Sequence, residues 1–95
     1  MITTIVMVSV AANMIPEVAQ AIADLDGVSE VYSVAGDVDL IAIVRVREFE
    51  QIADVIAGRL SRIEGVLSTD THVAFRAYSR HDLESAFSIG YSAPE

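Results

Sequence analysis

The chain has 95 residues, 53% of them hydrophobic, with a formal charge of −8 and arginine as its only basic residue besides two histidines. An acidic chain lacks the cationic footprint that phosphate contacts need, so direct nucleic-acid binding is excluded, and an anionic membrane surface is disfavoured. No cysteine is present, which removes disulfides and thiolate metal sites. No apolar run is long enough for a membrane span, and the start shows no basic leader pattern, so a cytoplasmic location is expected.

Residues 2–11 (ITTIVMVSVA) are dense in β-branched side chains and predict a strand. Asn13 is placed to cap the helix that follows, and Pro16 is tolerated in its first turn. Ile15, Val18, Ile22 and Leu25 recur at helical spacing, and Gly27 stops the pattern. Residues 28–35 predict a second strand, Gly36-Asp37-Val38 a turn, and Asp39 to Val46 a third strand. A second helix is expected from near Arg47, with Phe49, Ile52, Ile56, Leu60 and Ile63 on one face and Gly65 at its end. Residues 66–77 predict a fourth strand, and 78–95 a C-terminal tail with a short helix around His81–Phe87.

The order is βαββαβ, and both helices end alike, in Leu25-Asp26-Gly27-Val28 and Ile63-Glu64-Gly65-Val66. Two β-α-β halves in tandem predict an α+β, ferredoxin-like fold: a four-stranded antiparallel sheet with two helices on one face, in a single domain spanning 1–95. In that fold the first and third strands are central. Both carry apolar residues on both sides, Val6, Val8 and Val10 against Ile5 and Met7, and Leu40, Ala42 and Val44 against Ile41 and Ile43. Two helices cover only one face, so a second copy of the chain is expected on the other, pairing the sheets into a homodimer.

The turn Gly36-Asp37-Val38-Asp39 is the candidate site. Glycine supplies the positive φ of a turn, and its backbone N–H groups can hold a carboxylate while a neighbouring acid pairs with an ammonium group. Asp39, next to the apolar Leu40 and Ile41, is expected to need a partner more than Asp37, which can satisfy itself locally. The plainer reading is a turn and two solvated acids. His72 and His81 show no metal-ligand spacing, so no metal or other cofactor is expected. Arg45 and Arg47 suit rim salt bridges, Tyr32 suits an interface, and Phe87 and Tyr91 suit docking on a neighbouring subunit.

The run GVSEVYSVAGDVDLIAIVRVREFEQI, followed by IEGVLSTDTHVAF, resembles the C-terminal effector-binding (RAM) domain of the Lrp/AsnC, or feast/famine, transcription regulators. The resemblance covers Ile2 to about Ala77 and lacks the family's N-terminal helix-turn-helix, which suggests a stand-alone form. It implies dimers that assemble into rings, with eight subunits expected, and an amino acid or related small metabolite bound between subunits. By position it implicates Gly36, Asp37, Asp39, Thr69 and Thr71. Ala35 stands where many members have threonine before the glycine, which removes a hydroxyl. It further implies modulation of transcription through co-assembly with a full-length regulator, and no enzyme activity. Two alternatives stay open: a small dimeric ferredoxin-like-barrel enzyme, of oxygenase or isomerase type, with His72 or Asp70 as base, and an ACT-like regulatory module.

Overall fold

The computed structural model describes residues 1–80, in the order β1 (Ile2–Val10), α1 (Ile15–Ala23), β2 (Val28–Ser33), β3 (Leu40–Val46), α2 (Glu50–Ile56) and β4 (Val66–Ala74). Short 3₁₀ turns at Ala12–Met14 and Leu60–Arg62 lead into α1 and follow α2. The strands form one antiparallel sheet in the order β2-β3-β1-β4, so β1 and β3 are central, as the ferredoxin-like order requires.

The pleat assigns the faces. Val6, Val8 and Val10 of β1 and Leu40, Ala42, Val44 and Val46 of β3 are buried under the helices. Val18 and Ile22 of α1, Ile52, Val55 and Ile56 of α2, and Leu60 close this core. Successive strand residues point to opposite faces. Ile5, Met7, Ile41 and Ile43 therefore lie on the face opposite α1 and α2, which no helix among the described residues covers, and there they are half-buried. The register aligns Ile5 with Ile43 and Met7 with Ile41. The four form one apolar stripe along the sheet centre, flanked by Glu30 and Tyr32 on β2 and by Asp70 and His72 on β4.

Three local expectations are corrected. Asn13 does not cap α1: it lies in the 3₁₀ turn, Met14 occupies the N-cap position, and no side chain bonds there. β3 begins at Leu40, not Asp39, because the chain is still turning at Asp39. The second helix ends at Ile56 rather than running to Gly65. There the Gly58 N–H reaches back to the Ala53 carbonyl at 3.1 Å. A Cβ on Gly58 would lie 2.5 Å from the Asp54 carbonyl oxygen, a contact no other residue could make without displacement. The apolar periodicity that suggested a longer helix continues into the 3₁₀ turn, where Leu60 is buried, whereas Phe49 sits at the N-cap of α2 and is 65% exposed. The expected short helix at 81–87, and the roles given to His81, Phe87 and Tyr91, lie outside the described residues.

Candidate functional site

The turn between β2 and β3 is built around Gly36, at φ +139°, with no atom within 4 Å of where a Cβ would stand. The turn is closed by the Val34 N–H donating to the Asp39 carbonyl at 3.0 Å, and joined to β1 by the Asp39 N–H donating to the Val8 carbonyl at 3.0 Å. The Asp39 carboxylate is also engaged. Its Oδ2 accepts the Val10 N–H at 2.8 Å. The register that pairs Val8 with Leu40 would set Val10 opposite Val38, but there the chain has left the sheet. The Asp39 side chain takes the place of the missing backbone carbonyl.

This overturns the premise that Asp39 lacks a partner. Its charge is met by a backbone donor from the same chain. Asp37, expected to satisfy itself, is instead exposed and makes no side-chain hydrogen bond or ion pair among the described residues.

Asp39→Ala removes the acceptor of the buried Val10 N–H and should destabilise the fold by about 1–3 kcal/mol. Asp39→Asn keeps an acceptor oxygen and should cost well under half of that. Urea denaturation of the two variants checks the difference.

Thr69 and Thr71 lie on β4, opposite Val8 and Val6 and on the helix-covered side. Thr69 is half-buried and Thr71 exposed beside α2. β1 separates them from the turn, a gap of two strand spacings, or about 10 Å. One chain therefore brings Gly36, Asp37 and Asp39 together, and brings Thr69 and Thr71 together. It does not bring the two groups together.

The other charged cluster lies on the face without helices. The Tyr32 hydroxyl donates to Glu30 Oε2 at 2.6 Å, and Arg45 stands 3.7 Å from Glu30. The hydrogen bond to Glu30, reinforced by that carboxylate's charge, raises the Tyr32 phenol above its ordinary value of 10.0. A raised pKa means the interaction is complete at neutral pH and is lost as pH rises through the phenol's ionisation. Spectrophotometric titration, with Tyr32→Phe as the difference reference, should show Tyr32 ionising late, and Glu30→Gln should bring it earlier.

His72 stands 3.2 Å from Asp70, both exposed. They pair with Ile5 and Met7 and so project away from the helices. A base at either position could not serve a pocket between sheet and helices, the arrangement the enzyme alternative needs. Among the described residues no group of three or more histidine or acidic side chains is placed to hold a metal ion, and no helix is long and apolar enough to cross a membrane.

A ferredoxin-like sheet with a glycine-acid turn at one end, threonines on an edge strand and an apolar face left open has the form of a small ligand-binding domain. The chain belongs to the Lrp/AsnC family, whose ligand-binding domain matches residues 3–83. It is 44% identical over 59 residues to an uncharacterised HTH-type transcriptional regulator of Pyrococcus horikoshii, a match covering 62% of this chain and 39% of that protein. An uncharacterised HTH-type regulator of Bacillus subtilis is 33% identical over 66 residues, 70% of this chain and again 39% of the relative. The chain thus spans less than half the length of these curated relatives. A protein from Thermus thermophilus, known from its crystal structure, is 44% identical, with a TM-score of 0.79, over 84% of this chain and all of the other. A feast or famine regulatory protein from M. tuberculosis, solved complexed with L-methionine, shares the fold at 20% identity and a TM-score of 0.69, over 84% of this chain and 54% of its own. The Pyrococcus and Bacillus relatives are named as transcriptional regulators, and the M. tuberculosis neighbour as a regulatory protein.

Proposed function

We propose that this domain is an effector-binding and oligomerisation module that takes an amino acid or related small metabolite between subunits. The observation that carries this reading is the separation of Asp37 and Asp39 from Thr69 and Thr71 by a central strand: a ligand touching both groups needs the turn of one subunit and the edge strand of another. The ligand's α-carboxylate meets N–H groups of the Gly36 turn and its ammonium meets the unpartnered Asp37, while Asp39 holds the turn in shape. The L-methionine complex of the M. tuberculosis protein supports the ligand class. The open stripe of Ile5, Met7, Ile41 and Ile43 supports a sheet-to-sheet homodimer, on which further assembly into a ring is built. Regulation then runs through co-assembly with a full-length relative, since the acidic charge of −8 gives this chain no DNA footprint of its own.

Subunit mixing tests the shared site. Asp37→Asn and the double variant Thr69→Val/Thr71→Val should each abolish the rise in melting temperature given by the amino acid that stabilises the wild type. Co-refolding the two variants should restore part of it, because some sites then combine an intact turn with an intact strand. No recovery on mixing would place the whole site within one chain and overturn the reading.

A further inference from the structure

Asp39 does more than close its own turn. It holds two residues of β1: its N–H donates to the Val8 carbonyl at 3.0 Å, and its Oδ2 accepts the Val10 N–H at 2.8 Å. Across β1 the same two residues face β4, Val8 opposite Thr69 and Val10 opposite Val66. The register slips between them, so three steps along β4 match two along β1, and Leu67 has no partner in the ladder. This β-bulge decides which face the threonines occupy. Residues three apart on a regular strand point to opposite faces. With Leu67 as the extra residue, Val66 and Thr69 both point to the helix side, where Val66 packs on the core and Thr69 is half-buried. The Ala11 N–H, donating to the Gly65 carbonyl at 2.8 Å, pins the far end of the bulge.

We propose that Asp39 is a positioning residue for both half-sites of a subunit, holding the Gly36 turn directly and setting Thr69 through Val10 and the bulge. This rests on the reading in which a ligand lies between the turn of one subunit and β4 of another. Each subunit then serves two ligands, one at its turn and one at its β4, and Asp39 is bonded to the strand between them. The grip depends on one side chain, because β3 starts at Leu40 and has no backbone carbonyl opposite Val10. The bulge is the element with two arrangements: seated, with Thr69 on the helix side, or loosened, with the register of 66–69 free to slip. A ligand that orders the turn tightens Asp39 on Val10 and seats the bulge. Occupancy of one site therefore favours occupancy of the next.

Hydrogen exchange in the ligand-free, full-length protein reads this link without any ligand. Asp39→Ala should speed exchange of the Gly65–Thr69 segment about tenfold, while Thr71–Ala74, at the other end of the same edge strand, stays within about twofold of wild type. Asp39→Asn, which keeps an acceptor for Val10, should restore the wild-type pattern. Unchanged exchange at Gly65–Thr69 would overturn the proposal, and so would an equal rise along all of β4, which reports only lost stability. A second measurement uses the twenty amino acids as probes. Wild type should bind at least one cooperatively, with a Hill coefficient above one, and Asp39→Ala should bind it more weakly and without cooperativity. Binding by the wild type without cooperativity overturns the proposal alone. Failure of every amino acid to bind overturns the ligand reading beneath it, whatever the exchange shows.

Discussion

Ile43→Asp is expected to convert the protein to monomers that keep their fold. Ile43 lies in the middle of the stripe on the helix-free face, so the change leaves the core of Val6, Val8, Leu40 and Val44 untouched. In the proposed sheet-to-sheet dimer the same patch meets itself across a two-fold axis, and each interface receives two carboxylates. Burying each without a partner costs at least about 2 kcal/mol. The pair then raises the dimer dissociation constant by about three powers of ten, at 1.4 kcal/mol per tenfold. Sedimentation at micromolar concentration should show the wild type as an oligomer and Ile43→Asp as a monomer with unchanged far-UV circular dichroism. A wild-type monomer at that concentration would remove the dimer from the account.

Gly65→Ala is expected to give the largest loss of stability from the smallest change of side chain. Gly65 has φ +102°, and an added Cβ would stand 2.8 Å from Val18 Cγ2 and 3.2 Å from Met14 Sδ. The position also anchors the sheet, since its carbonyl accepts the Ala11 N–H at 2.8 Å. Strain at such a φ costs about 1–3 kcal/mol. Forcing a methyl against the buried Val18 adds about 1–3 kcal/mol more. Gly36→Ala separates the two contributions, because Gly36 shares the positive φ but has open space around it. Chemical denaturation should show Gly65→Ala losing roughly twice as much as Gly36→Ala, with the strain term of about 1–3 kcal/mol common to both. Equal losses would mean that packing against Val18 contributes nothing.

The strand order, the helix positions and the open apolar face were legible because each is written in local pattern. Alternation on one side of a strand marks a buried face, and Ile5, Met7, Ile41 and Ile43 filled the second side as well. The end of α2 was less legible. Ile52, Ile56, Leu60 and Ile63 keep helical spacing across a break that Gly58 makes, and both the helix and the following 3₁₀ turn bury apolar residues in the same core. The state of the two acids was not legible at all. Asp39 is satisfied by the N–H of Val10, 29 residues away, so its role depends on a strand pairing that no local window contains.

The role of Asp37 in holding a ligand is the central claim, and calorimetric titration of the twenty amino acids into wild type, Asp37→Asn and Asp39→Asn tests it most directly. At least one amino acid should bind the wild type, and at a hundredfold excess over its Kd should stabilise it by about 2.7 kcal/mol. Asp37→Asn should unfold at the wild-type denaturant midpoint without ligand and lose that binding, while Asp39→Asn, with the turn still held by Val10, should retain part of it. Equal affinity for wild type and Asp37→Asn, or no amino acid bound by the wild type, would leave the Gly36–Asp39 stretch a turn and nothing more.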